Sequence, residues 1–254
     1  MRAAMSMDDT TAANIVQLLN QLEGQGYAPP DLRQVRAAYD LAIALYTCQY
    51  RSSGRGLIDH AVHTASILAA LGSEPALIAA MVAHAVYLHG DFGTRLRRIT
   101  ASKRVRVRAN LGSAAEELTY RYAGLDWRRS TIAALRDEIP TLTVERQLLL
   151  MRLADQLDIY ATRDVLYCDN LAQRVAWARD VGPLIVALAD EVDRPHLADA
   201  LRRAYSDCIA SATGADPLAP AWRDGVRTPS SYRIRPSIAL YQRLRGQVWA
   251  WLGR

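Results

Sequence analysis

Two apolar helical runs joined by a short turn constrain the fold of this chain more than any other feature. The first covers residues 57–71 and the second covers residues 75–88. Gly72 ends the first run, Ser73 can cap the second, and Pro75 suits the first turn of a helix. Because the connection is short, the two helices are predicted to pack as antiparallel neighbours.

The rest of the chain has the same helical character. Half of its residues are apolar, and the β-branched residues are scattered, which favours helices over a sheet. Further helices are predicted over residues 11–26, from residue 31, from residue 113, and over residues 144–160, 171–181, 183–192, 194–213 and 237–252. The predicted fold class is therefore an all-α helical bundle.

The predicted organisation is an N-terminal helix (1–30), a core (31–180) and a C-terminal helical extension (181–254) with a Pro- and Gly-rich loop at about 214–236. The tryptophans of this extension either pack on the core or form a contact in a homo-oligomer. They are Trp222, Trp249 and Trp251.

The formal net charge is +5 with a pI near 9.3, and basic residues cluster over residues 95–108 and 223–245. These clusters are either solvated helix faces or a site of attraction for an anionic ligand such as a nucleotide or phosphate. Because no nucleic-acid-binding motif accompanies them, a small anionic ligand is the better version of the second interpretation.

The sequence also predicts a cytoplasmic protein without a membrane partner. No apolar run approaches the roughly 18 residues of a membrane span. The N-terminal region carries Asp8 and Asp9 before any apolar stretch, unlike a signal peptide. Three widely spaced cysteines, Cys48, Cys168 and Cys208, form no metal motif and favour a reducing compartment.

The histidines indicate where chemistry could occur. Four of the five fall within one 30-residue window, and His60 and His84 lie at ends of the helical pair that face each other. Asp155 interrupts a distant apolar run, where a carboxylate is costly unless it is paired or binds a cation. Two imidazoles and one carboxylate can hold a divalent transition metal. Alternatively, His84 is a hydrogen-bonded core residue and Asp155 pairs with Arg152.

Several short motifs, in the same order, resemble the RelA/SpoT hydrolase domain of the HD superfamily. They are Arg51-Ser52-Ser53-Gly54, Ile58-Asp59-His60-Ala61-Val62, Ile78-Ala79-Ala80-Met81-Val82-Ala83-His84 and Leu153-Ala154-Asp155-Gln156-Leu157. The resemblance covers roughly residues 35–165. It implies an HD-domain-like helical fold in which His60, His84 and Asp155 bind a divalent metal ion, usually manganese, with iron and zinc as the other options.

The resemblance also implies a nucleotide substrate. The family's hydrolases remove pyrophosphate from the alarmone ppGpp, and related HD proteins hydrolyse other nucleotides. Arg51 and Ser53 would lie near the nucleotide, and basic residues would hold its phosphates. The candidates are Arg51, Arg55, Arg95 and Arg97.

The chain departs from the family where the HD pair belongs. Ala85 stands in place of the Asp of that pair, and Leu88 and His89 in place of the Glu-Asp pair of active hydrolases. Gln156 and Ile159 likewise replace an Arg and an Asn. One metal ligand and the acid/base carboxylates are thus missing from their expected positions.

Nearby groups can substitute, among them His89, Asp59, Asp158 and Asp91, which lies in a glycine-flanked loop just past His84. The chain also resembles HD-like proteins without assigned activity, in which His-x-x-Tyr and a Gly-rich loop replace the HD pair. That resemblance adds Tyr87 and residues 90–93 to the site, with Tyr87 as a proton donor or ligand-binding hydroxyl. A core tyrosine with a satisfied hydroxyl is the alternative.

Three functions follow as hypotheses. The first is a metal-dependent phosphohydrolase acting on a nucleotide or other small anionic substrate. The second is a catalytically inactive HD-like protein that binds a ligand or partner, which the loss of the carboxylate at Ala85 favours. The third is a mononuclear non-haem iron oxygenase, because its ligand set is also two histidines and a carboxylate.

Overall fold

The chain is described by a computed structural model that covers residues 11–93, 98–137 and 143–212. Across these ranges the regular structure is helical, apart from an isolated bridge between Tyr50 and Gly56. The helices are α1 (Ile15–Gly24), α2 (Pro29–Tyr46), α3 (Leu57–Ala70), α4 (Pro75–Val82), α5 (Val86–His89), α6 (Ala101–Leu111), α7 (Ser113–Ala123), α8 (Arg129–Asp137), α9 (Thr143–Ala161), α10 (Leu171–Glu191) and α11 (Pro195–Ala212), with a 3-10 helix at Asp164–Tyr167. The predicted all-α helical bundle is confirmed.

Helices α3 and α4 form the centre of the bundle. Residues 77–82 of α4 are all buried, and α3 buries most of its length, including His60. The pair packs together, with α9 against α3 and with α2 and α7 against α4. The predicted metal ligands, His60, His84 and Asp155, are therefore buried within the bundle and do not lie at its surface.

A single hydrophobic core runs from Ala12 to Cys208. Helix α1 packs on α2 and α3, and α11 packs on α9 and α10. The division of the chain at residues 30/31 and 180/181 stays a prediction, and α10 continues through residue 181 without interruption.

Two predictions about the second helix of the central pair were wrong. Glu74, not Ser73, occupies the N-cap of α4, and no side chain caps it. The helix also does not continue through His84, because it ends at Val82 and α5 begins at Val86. The segment between them turns through Ala83, whose N–H still bonds to Ala79 O at 3.2 Å. His84 is therefore presented from a turn and not from a helix face.

The predicted helix end before Pro183 was also wrong. Pro183 lies inside α10 and is exposed. Proline has no backbone N–H, so it gives no hydrogen bond to the carbonyl of Arg179, and that residue is also exposed. The next residue toward the N-terminus, Gly182, is buried, and a Cβ there would lie 3.3 Å from the Tyr205 ring. The missing side chain lets α11 approach α10 closely at this point.

Several predicted features lie outside the described residues. They are Arg95, Arg97, the loop at 214–236, the helix at 237–252 and the tryptophans Trp222, Trp249 and Trp251.

None of the helices in the described ranges combines the length and the apolar character needed to cross a membrane.

Candidate metal centre

His60 is fixed at the start of α3 by the turn that precedes the helix. The turn closes through bonds from Arg51 N to Arg55 O and from Gly54 N to Arg51 O, both 2.9 Å long. Gly54 has a φ of +87°, a conformation that favours glycine. The His60 side chain is fully buried, and its Nδ1 lies 2.5 Å from Asp158 Oδ2. Because a carboxylate only accepts, Nδ1 donates and Nε2 is left to bind a metal.

His84 lies in the turn between α4 and α5, with its ring 5.2 Å from that of His60 between centroids. Its Nδ1 donates to Met81 O at 2.7 Å, which again leaves Nε2 as the free nitrogen. Burial, together with the charge of His60, lowers the pKa of His84 to about 3. The ring is therefore neutral at physiological pH, the form in which imidazole binds metals.

Asp155 projects from α9 and is 5% exposed. Its Oδ2 accepts bonds from Arg152 Nη1 at 3.0 Å and from the Tyr122 hydroxyl at 3.1 Å. Its Oδ1 lies 3.1 Å from His60 Nε2. Burial acts to raise the pKa of Asp155, but the contact with His60 and the charges around it hold that pKa well below its usual range. Asp155 is thus an anion with one oxygen directed at the histidines.

The three side chains together form a candidate metal site. One ligand atom from each of His60, His84 and Asp155 lies within 4.8 Å of the others. His60 Nε2 is buried and makes no hydrogen bond, although Asp155 Oδ1 is only 3.1 Å away. A cation between these two acceptors would satisfy both, so the donor set fits a divalent transition metal.

The site opens into a cavity of about 440 Å³. Among the described residues, three arginines line it: Arg51 from the turn before α3, Arg152 from α9 and Arg174 from α10. The other lining residues are Ser52, Leu57, His60, His84, Ala85, Leu88, His89, Tyr122, Asp155, Gln156 and Ile159. The cavity therefore combines a candidate metal site with positive charge, a combination suited to an anionic ligand.

The structure brings only some of the predicted site residues to this cavity. Arg51 and His89 line it, whereas Ser53, Arg55, Tyr87 and Asp91 are not among its described lining residues. Ser52, the neighbour of Ser53, lines it instead. Arg95 lies outside the described residues.

The four residues away from the cavity have other partners. Arg55 binds Asp158, and Ser53 Oγ accepts from Arg55 N at 3.4 Å. The Tyr87 hydroxyl donates to Glu116 at 2.7 Å in the core. Asp91 is exposed and accepts from Gly93 N at 2.8 Å.

Among the cavity residues that sequence reasoning missed are Tyr122 and Arg174. Neither neighbours a predicted ligand along the chain, so no local pattern could have revealed them. The proposed pairing of Arg152 with Asp155 is confirmed, and its i,i+3 spacing on one helix was the signal.

The buried neutral His84 should make the metal-free protein less stable in acid. Its folded-state pKa of about 3 lies below the ordinary value of 6.5, so the unfolded chain binds the extra proton first. The free energy of unfolding is expected to fall by about 1.4 kcal/mol per pH unit below pH 6 from this group. Urea unfolding at several pH values measures the slope.

His84→Asn removes the titrating ring and keeps an amide donor for Met81 O. Its free energy of unfolding should therefore fall less steeply between pH 6 and pH 5 than that of the wild type. His196→Asn is the matched control, because His196 is exposed on α11. Equal slopes for His84→Asn and the wild type would contradict the prediction.

Residues 44–127 match the model of a protein family described as a domain of unknown function, DUF6817. The matched segment contains Arg51, His60, His84 and Tyr122, and it ends before α9 and Asp155. No curated protein matches the chain.

Proposed function

We propose that this protein is an HD-like, metal-dependent phosphohydrolase acting on a nucleotide or another small phosphorylated substrate. One observation carries the proposal: His60, His84 and Asp155 converge on one point at the wall of a cavity that is also lined by arginines. The order of these residues along the chain and the RelA/SpoT-like motifs around them support the HD-like assignment.

The chain's own residues would bind and orient the substrate. Arg51, Arg152 and Arg174 line the cavity, and their positive charge would attract an anionic phosphoryl group. A divalent metal held by the three ligands would lower the pKa of a bound water and polarise a phosphoryl oxygen.

His89 is the candidate general base. It lines the cavity, and desolvation of its ring lowers its pKa. The charges of Arg51 and His60 act in the same direction. The imidazole is therefore neutral near pH 7 and can accept a proton from water. Among the described lining residues Asp155 is the sole carboxylate, so Asp91 and Asp158 do not replace the missing acidic pair at this wall.

The donor set favours one metal ion per chain. Asp155 Oδ2 is already bound by Arg152 and Tyr122, which leaves only Oδ1 for a metal. Ala85, which stands where the family has a further ligand, lines the cavity with a methyl group. A second ion would find no second carboxylate there.

Elemental analysis and a hydrolysis assay over a panel of nucleotides and small phosphate esters test this function. We expect about one equivalent of manganese, iron or zinc per chain, and phosphate or pyrophosphate release from at least one compound. Asp155→Asn should lose both metal and activity, whereas Asp180→Asn, at an exposed ion pair, should keep them. A protein that binds none of these metals would contradict the proposal.

A second candidate is an HD-like protein that binds a phosphorylated ligand without hydrolysing it. The observation that favours it is the apolar wall at Ala85, 2% exposed, in place of a carboxylate. Bound metal and saturable ligand binding without turnover would select this candidate. Bound iron with oxygen consumption would instead replace the hydrolase with an oxygenase.

A further inference from the structure

Asp158 makes the densest set of polar contacts next to the candidate metal centre. Its side chain is fully buried on α9, one turn after Asp155. Its Oδ2 accepts from His60 Nδ1 at 2.5 Å, and its Oδ1 lies in ion-pair contact with His63 Nδ1. Arg55 Nη1 lies 3.0 Å from Oδ1 and 2.9 Å from Oδ2. Both oxygens are therefore committed to donors, and neither is directed to the cavity.

We propose that Asp158 is a positioning residue that holds His60 in the Nδ1–H tautomer and ties the Arg51 turn to the metal centre. This inference rests on the proposed function. It assigns Asp158 a role behind the ligand rather than that of a replacement for the carboxylate missing at Ala85.

The tautomer follows from which atoms can donate. An ionised carboxylate offers only lone pairs, and of the two ring nitrogens Nδ1 makes the hydrogen bond to Asp158 whereas Nε2 makes none, so a ring with a single proton carries it on Nδ1. The Nε2 lone pair is then available at the point shared with His84 and Asp155. A proton on Nε2 would occupy that position and block a metal.

The same carboxylate anchors the turn that carries Arg51 to the cavity. Arg55 lies in that turn and reaches back to Asp158 on α9. A second acidic residue, Asp164, lies in the 3-10 helix and also contacts this turn. Its Oδ2 lies 3.4 Å from Arg51 Nε and 3.7 Å from Arg55 Nη1. In the described part of the chain Asp164 makes no hydrogen bond or ion pair with His60, so its replacement weakens the turn without removing a bond to the ring.

Asp158→Asn tests the tautomer with almost no change of volume. An amide has one acceptor oxygen, and Arg55 and His63 compete with His60 for it. The amide NH₂ then faces a ring nitrogen and selects an imidazole that accepts at Nδ1 and is protonated at Nε2. Asp164→Asn is the matched control, because it weakens the same turn without a contact to His60.

Two measurements are made on the full chain. Long-range ¹H–¹⁵N correlation spectra of the metal-free protein, recorded at a pH where the ring carries one proton, identify the His60 tautomer, and titration with Zn²⁺ gives the dissociation constant. We expect the wild type and Asp164→Asn to show Nδ1–H and to bind Zn²⁺ with similar affinity. Asp158→Asn should show Nε2–H and bind Zn²⁺ about 10- to 100-fold more weakly.

A wild-type spectrum in which the singly protonated His60 ring carries its proton on Nε2 overturns the proposal, and this result needs no variant to fold. Equal loss of affinity in both variants, or an unchanged tautomer in Asp158→Asn, overturns it as well. If the wild type binds no metal but Asp158→Asn still switches the tautomer, the proposed function fails and the positioning role of Asp158 stands.

Discussion

Replacing Glu116 with glutamine is expected to lower the free energy of unfolding by about 3–5 kcal/mol. The Glu116 side chain is fully buried on α7. It accepts from Arg104 at 2.6 and 2.9 Å, from Arg108 at 2.8 Å and from the Tyr87 hydroxyl at 2.7 Å. The glutamine amide would remove the charge that compensates two arginines, and its NH₂ would face their donors.

Glu117→Gln is the matched control, because Glu117 also bonds Arg104 but its side chain is 47% exposed. It should change the free energy of unfolding by less than about 1 kcal/mol. Urea unfolding at pH 7 measures both variants, and equal effects would contradict the prediction.

The difference in free energy of unfolding between Glu116→Gln and the wild type should depend on pH. Burial acts to raise the pKa of Glu116, but hydrogen bonds from Arg104, Tyr87 and Arg108 lower it from 4.5 to about 2. The stabilisation is therefore complete above pH 4.5 and is lost as the pH falls toward 2. The two proteins should converge in stability over that interval.

Ala85→Asp is expected to have the second large effect on the free energy of unfolding, and the size of this effect should depend on metal. Ala85 is 2% exposed and lines the cavity beside His84. Without metal, a carboxylate at this buried position loses most of its hydration and should destabilise the protein by about 3 kcal/mol. With Mn²⁺ present, the same carboxylate can serve as a fourth ligand, so most of that loss should be recovered.

The measurement is thermal unfolding of both proteins with and without saturating Mn²⁺. Ala83→Asp is the control, because Ala83 is fully buried and is not among the described cavity residues. Its loss of stability should be the same with and without metal. If Mn²⁺ stabilises Ala85→Asp no more than it stabilises the wild type, position 85 does not face the metal.

The sequence could predict the bundle and the three side chains of the candidate metal site because their signals are local. The apolar runs define α3 and α4, and a lone carboxylate inside an apolar run marks Asp155 as paired or ligating. The turn at residues 83–85 has no such signal. No glycine or proline occurs there, and the Met81 carbonyl is taken by the His84 side chain at 2.7 Å. That contact is made by a side chain and leaves no pattern in the sequence.

The partners of the ligands could not be predicted for a related reason. Tyr122 reaches Asp155 across 33 positions of the chain, and Asp158 reaches His60 across 98. Asp158 was predicted as a substitute for a missing carboxylate, and its spacing from Asp155 places both on one face of α9. Which of the two faces the cavity depends on packing against α3, which periodicity alone does not define.

The two histidines and Asp155 of the candidate metal site come from distant parts of the chain, and this has a consequence for a chain that is cleaved or partly folded. A fragment or partly folded chain from which α9 has separated keeps both imidazoles and loses the carboxylate that completes the set. Such a species would hold a metal ion weakly, whereas the assembled chain would retain it. Metal occupancy would then discriminate intact molecules from proteolysed ones.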